Sequence, residues 1–187
     1  MDKIYLATTN KGKLKELQAI IDVPIEPIEL DIDEVQSMDL SYVALKKVEE
    51  AFKVVKKPVI VDDVGFYIEA LNGFPGPFVK YFLDSLTNEG VLRLMENEKN
   101  RKVKVAAAIG YHDGKNAHVF IGEFIGQIVS KIRGDKGFGF DPIIIPDGYD
   151  KTFAEMDEEL KNKISHRGKA LEKLKNFLDS QKKQKKI

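Results

Sequence analysis

Apolar residues recur along the chain with two different periods, and the period changes where the architecture is expected to change. Lys3 to Ala7 reads as a short strand, and Lys13 to Ile21 carries Leu14, Leu17, Ile20 and Ile21 at helical spacing. Ile25 to Ile32 alternates apolar and acidic positions, as a half-exposed strand does, with Pro27 suited to an edge. Leu45, Val48, Phe52 and Val55 form the stripe of a helix that Ser41 can cap and Pro58 ends. The run Val59-Ile60-Val61 then predicts a buried strand that stops at Asp62 and Asp63, with Gly65 turning the backbone directly afterwards. Strand, helix, strand, helix, strand is an α/β order.

Gly73-Phe74-Pro75-Gly76-Pro77 is too rich in glycine and proline for a helix or a central strand and predicts a shaped loop. Phe78 to Leu86 and Thr87 to Met95 read as two short helices, the second capped by Thr87. A period of two returns from Val103 to Ile109 and from Val119 to Val129, predicting a long hairpin and an antiparallel second half of the sheet. His112 and His118 flank its turn and are expected at the surface. Arg133 to Pro142 is a second glycine-punctuated loop, Ile143 to Ile145 a brief strand, and Phe153 to Lys163 a helix. Ser165 can cap the last helix, striped by Ala170, Leu171, Leu174, Phe177 and Leu178, and residues 180–187 read as a frayed, flexible tail. No repeat or linker divides the chain, so a single mixed α/β domain over residues 1–187 is expected.

Composition narrows the classes of function. Thirty basic residues balance thirty acidic ones, so no global field recruits a stable nucleic-acid partner or a membrane. Locally the balance fails: Lys15 to Lys46 brackets a stretch without Lys or Arg that holds Asp22, Glu26, Glu29, Asp31, Asp33, Glu34 and Asp39, which can draw a cation. The absence of cysteine excludes disulfides, thiolate zinc sites and cysteine nucleophiles. With no apolar leader and no membrane-length apolar run, a cytoplasmic protein is the simplest expectation.

Four clusters carry candidate chemistry, and each has an ordinary alternative. Thr8-Thr9-Asn10-Lys11-Gly12-Lys13 leaves a strand and opens a helix, a natural seat for phosphate, although taken alone such a loop is more often a plain Thr or Asn cap with solvated lysines. Glu34, Asp62 and Asp63 at strand ends suit a hard ion such as Mg²⁺, or else the aspartate pair caps a turn. Side by side, those two carboxylates would repel unless a cation lay between them. Phe138-Gly139-Phe140-Asp141 can stack a planar base and accept its N–H groups, or plug a core. His166-Arg167 can set an imidazole and a planar donor fork against ligand oxygens, or form a solvated first turn. Together they make the parts that a nucleoside triphosphate requires.

The order of these motifs resembles the inosine/xanthosine triphosphate pyrophosphatase family, from about Ile4 to Leu178. The resemblance is carried by Thr8-x-Asn10-x-x-Lys13, Glu34, Asp62-Asp63-x-Gly65, Gly73-x-Pro75-Gly76-Pro77, Phe138-Gly139-Phe140-Asp141-Pro142, and Lys161 with Ser165-His166-Arg167. It implies an elongated two-lobed α/β fold with a central mixed sheet, a cleft between the lobes, and a homodimer. It implies Mg²⁺-dependent hydrolysis of ITP, dITP and XTP to monophosphate and pyrophosphate. Thr8, Asn10 and Lys13 would hold the triphosphate. Glu34 and Asp63 would bind the metal with Asp62 in support, and Asp63 would take the proton of the attacking water. Phe138, Gly139, Phe140 and Asp141 would receive the base, Lys47 and Lys161 would contact substrate, and His166 and Arg167 would read the 6-oxo edge. Thr9 and Val64 depart from the family pattern, where Gly and a hydroxyl residue are frequent, so Val64 would act through its backbone. Two rivals remain at this level: a pyrophosphatase of other modified nucleotides, and a non-catalytic nucleotide- or RNA-binding module.

Overall fold

The computed structural model describes residues 3–184. The strands are β1 (Ile4–Ala7), β2 (Ile25–Ile28), β3 (Val59–Ile68), β4 (Pro75–Gly76), β5 (Lys102–His112), β6 (Ala117–Ile128) and β7 (Ile144–Pro146). The helices are α1 (Lys11–Ile20), α2 (Leu40–Val55), α3 (Val79–Leu94), α4 (Glu158–Ile164) and α5 (His166–Gln184). One mixed sheet runs in the order β2-β1-β3-β5-β6-β7, with β4 paired to β3. β1 is parallel to β2 and β3, whereas β5, β6 and β7 continue antiparallel, as the change of period predicts.

Three long strands build both ends of the molecule. At one end Ile60, Ile109 and Tyr111 pack with β1, α1 and the Ala170-Leu171-Leu174-Leu178 stripe of α5. On the opposite face there, Val59 and Val61 meet Val48 and Ala51 of α2. At the other end Phe66, Ile68, Val103 and Val105 pack with Val79, Phe82 and Val91 of α3 and with Phe140, Ile143 and Phe153. Asp62 to Gly65 lies in mid-strand between these cores, where Leu40 and Ala44 of α2 pack with Ala106 and Ala108, the β5 partners of Gly65 and Asp63.

Several elements differ from expectation. β3 does not stop at the aspartates: it continues through Gly65 to Ile68, in unbroken antiparallel register with β5. Gly65 makes room for the ring of Tyr67, which folds back to within 2.5 Å of where a Cβ would stand. The glycine therefore serves a close approach and not a turn. The cap of α2 is Asp39, whose Oδ1 accepts from the backbone N–H groups of Ser41 and Tyr42, while Ser41 lies inside the helix. Strand β2 ends at Ile28 and residues 29–39 are irregular, which frees Glu34 from any strand. The expected helix from Phe153 is a short 3₁₀ turn, Phe153–Glu155, followed by α4. The expected break between two short helices appears as a kink within α3 at Thr87, with φ 58° and ψ 176°. His112 is buried, its ring stacked on Phe52 at 3.6 Å between centroids. Helix α5 extends through Gln184, so residues 180–184 of the expected tail are helical and 185–187 lie outside the described residues.

Candidate active site

The strand carrying the aspartates has a period of two, so adjacent residues face opposite sides. Asp63 shares a face with Val59 and Val61 and looks toward α2. Asp62 shares the other face with Ile60 and looks toward α1 and α5. The two carboxylates are thus not a side-by-side pair, and each has its own cations.

On the α2 side, the Lys47 ammonium donates to Asp63 Oδ1 at 2.8 Å and pairs with Glu34 Oε1 at 2.7 Å. Lys47 draws Glu34, which sits on the irregular segment before α2, to the same point as the strand acid. Burial pushes the Asp63 carboxyl above its ordinary value, and Lys47 offsets only part of that. Asp63 Oδ2 is buried without a hydrogen-bond partner. Among the described residues no group of three or more His, Asp or Glu is placed to hold a metal ion. The donor set is therefore two carboxylates, with Asp63 Oδ2 buried and unpartnered, a set to which Mg²⁺ would add ligands from phosphate and water.

On the other side, Asp62 accepts from Arg167 Nε at 2.5 Å, and Lys13 of α1 bonds both its carboxylate, at 3.1 Å, and its backbone oxygen, at 2.6 Å. Burial pushes the Asp62 carboxyl up, but Arg167 and Lys13 overcome it and hold it well below the usual carboxylate range. As a supporting metal ligand Asp62 is misplaced, because its carboxylate is engaged on the far face of β3. Glu16, one helical turn after Lys13, bonds Arg167 Nη1 at 2.6 Å and Lys161 Nζ at 2.8 Å. Lys161 also bonds Asp141 Oδ2 at 2.6 Å. Lys13, Lys161 and Arg167 are thereby neutralised by Asp62, Glu16 and Asp141 in one largely buried network. The sequence reading missed Glu16, whose only signal was its place on the Lys13 face of α1.

The opening of α1 shows the ordinary cap offered for it. Asn10 is the cap, its Oδ1 accepting from Lys13 N–H at 3.1 Å, and Thr8 Oγ1 accepts from Asn10 N–H at 3.1 Å. Thr9 is exposed beside it. Gly12 lies against Phe138: a Cβ there would fall 2.6 Å from the ring, so the glycine lets the loop of α1 meet the Phe138 loop.

Within that second loop the two phenylalanines part. Phe140 is buried against Phe66, with centroids 4.9 Å apart, and belongs to the core. A base held between the two rings is therefore not what the fold offers. Phe138 is half-buried, with Lys161 Nζ 4.7 Å and Arg167 Cζ 5.4 Å from its ring centroid. Asp141 bends the loop by accepting from Phe138 N–H at 2.8 Å, and burial pushes its carboxyl up against the lowering effect of Lys161. Val64 packs its side chain against the core at this end, which leaves only its backbone for a ligand.

His166 and Arg167 are each 2% exposed, so the solvated-turn alternative is wrong for both. The His166 ring lies 5.7 Å from the rings of Phe124 and Phe140, and neither of its nitrogens has a hydrogen-bond partner. Burial, reinforced by Arg167, lowers its pKa well below 6.5 and keeps the imidazole neutral. A buried neutral histidine opposes acid: the unfolded chain takes up a proton below pH 6.5 that the folded chain does not. The stability of the native protein relative to His166→Gln should therefore fall by about 1.4 kcal/mol per pH unit below 6.5. Denaturant unfolding of both proteins between pH 5 and 8 measures it, and a pH-independent difference would contradict the neutral assignment.

Comparison with known proteins concerns the chain as a whole. The model of the Ham1 family matches residues 4–177. A protein of Methanopyrus kandleri named dITP/XTP pyrophosphatase is 45% identical over 91% of this chain and 93% of its own. Another of the same name from Hyperthermus butylicus is 42% identical over 94% of each. The structure of a HAM1 protein from Coxiella burnetii superposes with a TM-score of 0.84 at 32% identity, over 96% of this chain and 100% of that one. The Staphylococcus aureus Ham1 protein gives 0.83 at 31% identity, with the same coverage. With the motif order, the sheet and the family model in agreement over nearly the whole length, the chain belongs to the Ham1 family.

Proposed function

We propose that the chain hydrolyses deaminated purine nucleoside triphosphates, ITP, dITP and XTP, to the monophosphate and pyrophosphate, removing them from the nucleotide pool. The observation that carries this reading is that two adjacent residues of mid-β3 each anchor one group, Asp63 with Lys47 and Glu34 on one face and Asp62 with Lys13 of the capped α1 loop and Arg167 beside the Phe138 ring on the other. Relatives sharing most of this chain bear the name of that reaction.

Asp63 and Glu34 would hold Mg²⁺, the unpartnered Asp63 Oδ2 supplying a free donor. Bound there, the ion would neutralise phosphate charge and favour departure of pyrophosphate. Asp63 also takes the proton of the attacking water, whose oxygen joins the α-phosphorus as the bond to the bridging α–β oxygen breaks. Lys13 and the free N–H groups of the α1 opening, with Thr8, Thr9 and Asn10, face the phosphates, and Lys47 lies between phosphate and acids. Phe138 gives a ring for the base, and Gly139 and the Val64 backbone give polar main-chain groups. His166, Arg167 and Lys161 present donors toward a 6-oxo oxygen. Adenine's amino group would leave such donors unpaired, at about 1–3 kcal/mol each.

The reading includes a homodimer, for which exposed Phe74 and Tyr81, at 49% and 64%, offer apolar surface beside the Gly73–Pro77 loop. It places the enzyme in the cytoplasm, where the nucleotide pool is. Product analysis with ITP, with and without Mg²⁺, tests it: IMP and pyrophosphate are expected only with the metal. Release of orthophosphate as the first product would overturn the assigned cleavage, and preference for dUTP over ITP the assigned base.

A further inference from the structure

We propose that Asn88 of α3 is a positioning residue that clamps the base-holding loop and sets nucleotide affinity, leaving the chemistry to β3. The inference rests on the nucleotide reading of the Phe138–Asp141 loop above. That loop is flanked and centred by backbone in the left-handed region, Gly137 at φ 74° and Gly139 at φ 61°, where glycine gives freedom but no rigidity. From within, Asp141 Oδ2 accepts from Phe138 N–H. From outside, Asn88 Nδ2 donates to the Gly139 carbonyl at 2.9 Å, across 51 positions of sequence.

The orientation of the Asn88 amide follows from its partner. A carbonyl needs a donor, so Nδ2 faces Gly139 and Oδ1 is left buried without a hydrogen-bond partner. The neighbouring backbone shows how the side chain reaches the loop. Thr87 stands at φ 58° and ψ 176°, a conformation that a β-branched residue seldom adopts, and it breaks α3 directly before Asn88. An unbroken helix would rotate residue 88 with its register, whereas the break resets its direction. On the same side, Leu83 approaches to 4.0 Å of the Gly139 Cβ position, and Phe82 shares a core with Phe140. Helix α3 thus holds the loop at Phe140 by packing and at Gly139 by the Asn88 hydrogen bond, and Phe138 is the residue between these ties and the charge network.

Asn88→Asp keeps the shape and sets a carboxylate against the carbonyl, while Asn88→His can restore a donor. In hydrogen–deuterium exchange of the free protein, peptides covering 137–143 of Asn88→Asp should exchange about three- to tenfold faster, the worth of one hydrogen bond, with other core peptides unchanged. KM for ITP should rise by about the same factor with kcat within twofold, and Asn88→His should recover most of it. Unchanged exchange in that peptide, or a uniform rise across the protein, would overturn the clamp, as would a fall in kcat at constant KM. Should the wild type fail to hydrolyse ITP, the proposed function falls, while the exchange comparison still decides the role of Asn88.

Discussion

Asp63→Asn is expected to lower kcat/KM for ITP by at least about 10³-fold, since under the proposed mechanism it removes both the general base and a metal donor. Folding free energy should stay within about 1 kcal/mol of wild type. The amide keeps the shape, its Oδ1 still accepts from Lys47, and Lys47 retains Glu34. Burial already disfavours the ionised carboxyl, as its raised pKa records, so neutralising it removes no net electrostatic support. The pH dependence has a definite sign. A base whose pKa is raised loses its free form as pH falls through a value above the ordinary 3.8, so where Mg²⁺ arrives with the nucleotide the acid limb of kcat/KM, which reports the metal-free enzyme, should lie above that figure. Lys47→Gln, which leaves burial unopposed, should move the limb further up. Steady-state kinetics from pH 4 to 8 would measure both, and retained turnover by Asp63→Asn would remove Asp63 from the mechanism.

The opposite characters of Asp62 and Asp63 also show what was legible in the sequence. Periodicity located the elements because their apolar stripes match what is buried: Leu17 in α1, Val48 in α2, and Leu171 and Leu174 in α5 are all fully buried. It misplaced the end of β3, because a glycine after two acids is a common turn signal, while its actual use depends on Tyr67 folding back from two residues later. Had the strand been extended through Gly65, simple alternation would have set the acids on opposite faces. The candidate residues of α1, the Phe138 loop and the start of α5 do gather, linked by Lys161 and Arg167 near the Phe138 ring. Glu16 and Asn88 were illegible for one reason: their partners, Arg167 and Gly139, lie 151 and 51 positions away and are defined only by packing. Phe140 shows the converse, since its motif suggested a ligand while its neighbours Phe66 and His166 make it core.

Asp62→Ala is expected to cost about 3–5 kcal/mol, the range for stripping one partner from a buried ion pair. The reason lies in the charge balance. Arg167 and Asp62 are nearly sealed from solvent, and with Lys13 and Lys161 the cations match Asp62, Glu16 and Asp141 one for one. Removing Asp62 leaves Arg167 to share Glu16 with Lys161, an uncompensated positive charge in a poorly solvated place. The folded-state pKa of Asp62 is lowered, so its contribution is present above the ordinary carboxylate value and is lost as pH falls below about 3.8. The stability gap between wild type and variant should accordingly be full at pH 7 and narrow on acidification below that point. Asp62→Leu combined with Arg167→Met should recover most of the loss, because two apolar groups of similar size need no partner. Denaturant titrations at pH 7 and pH 3 measure all of this. A loss below about 1 kcal/mol for Asp62→Ala would mean that Glu16 alone suffices to hold Arg167. Under the proposed function, a phosphate or oxo group that approaches Lys13, Lys161 or Arg167 would have to compete with carboxylates already bonded to them. Affinity then depends on how far Asp62, Glu16 and Asp141 release these cations.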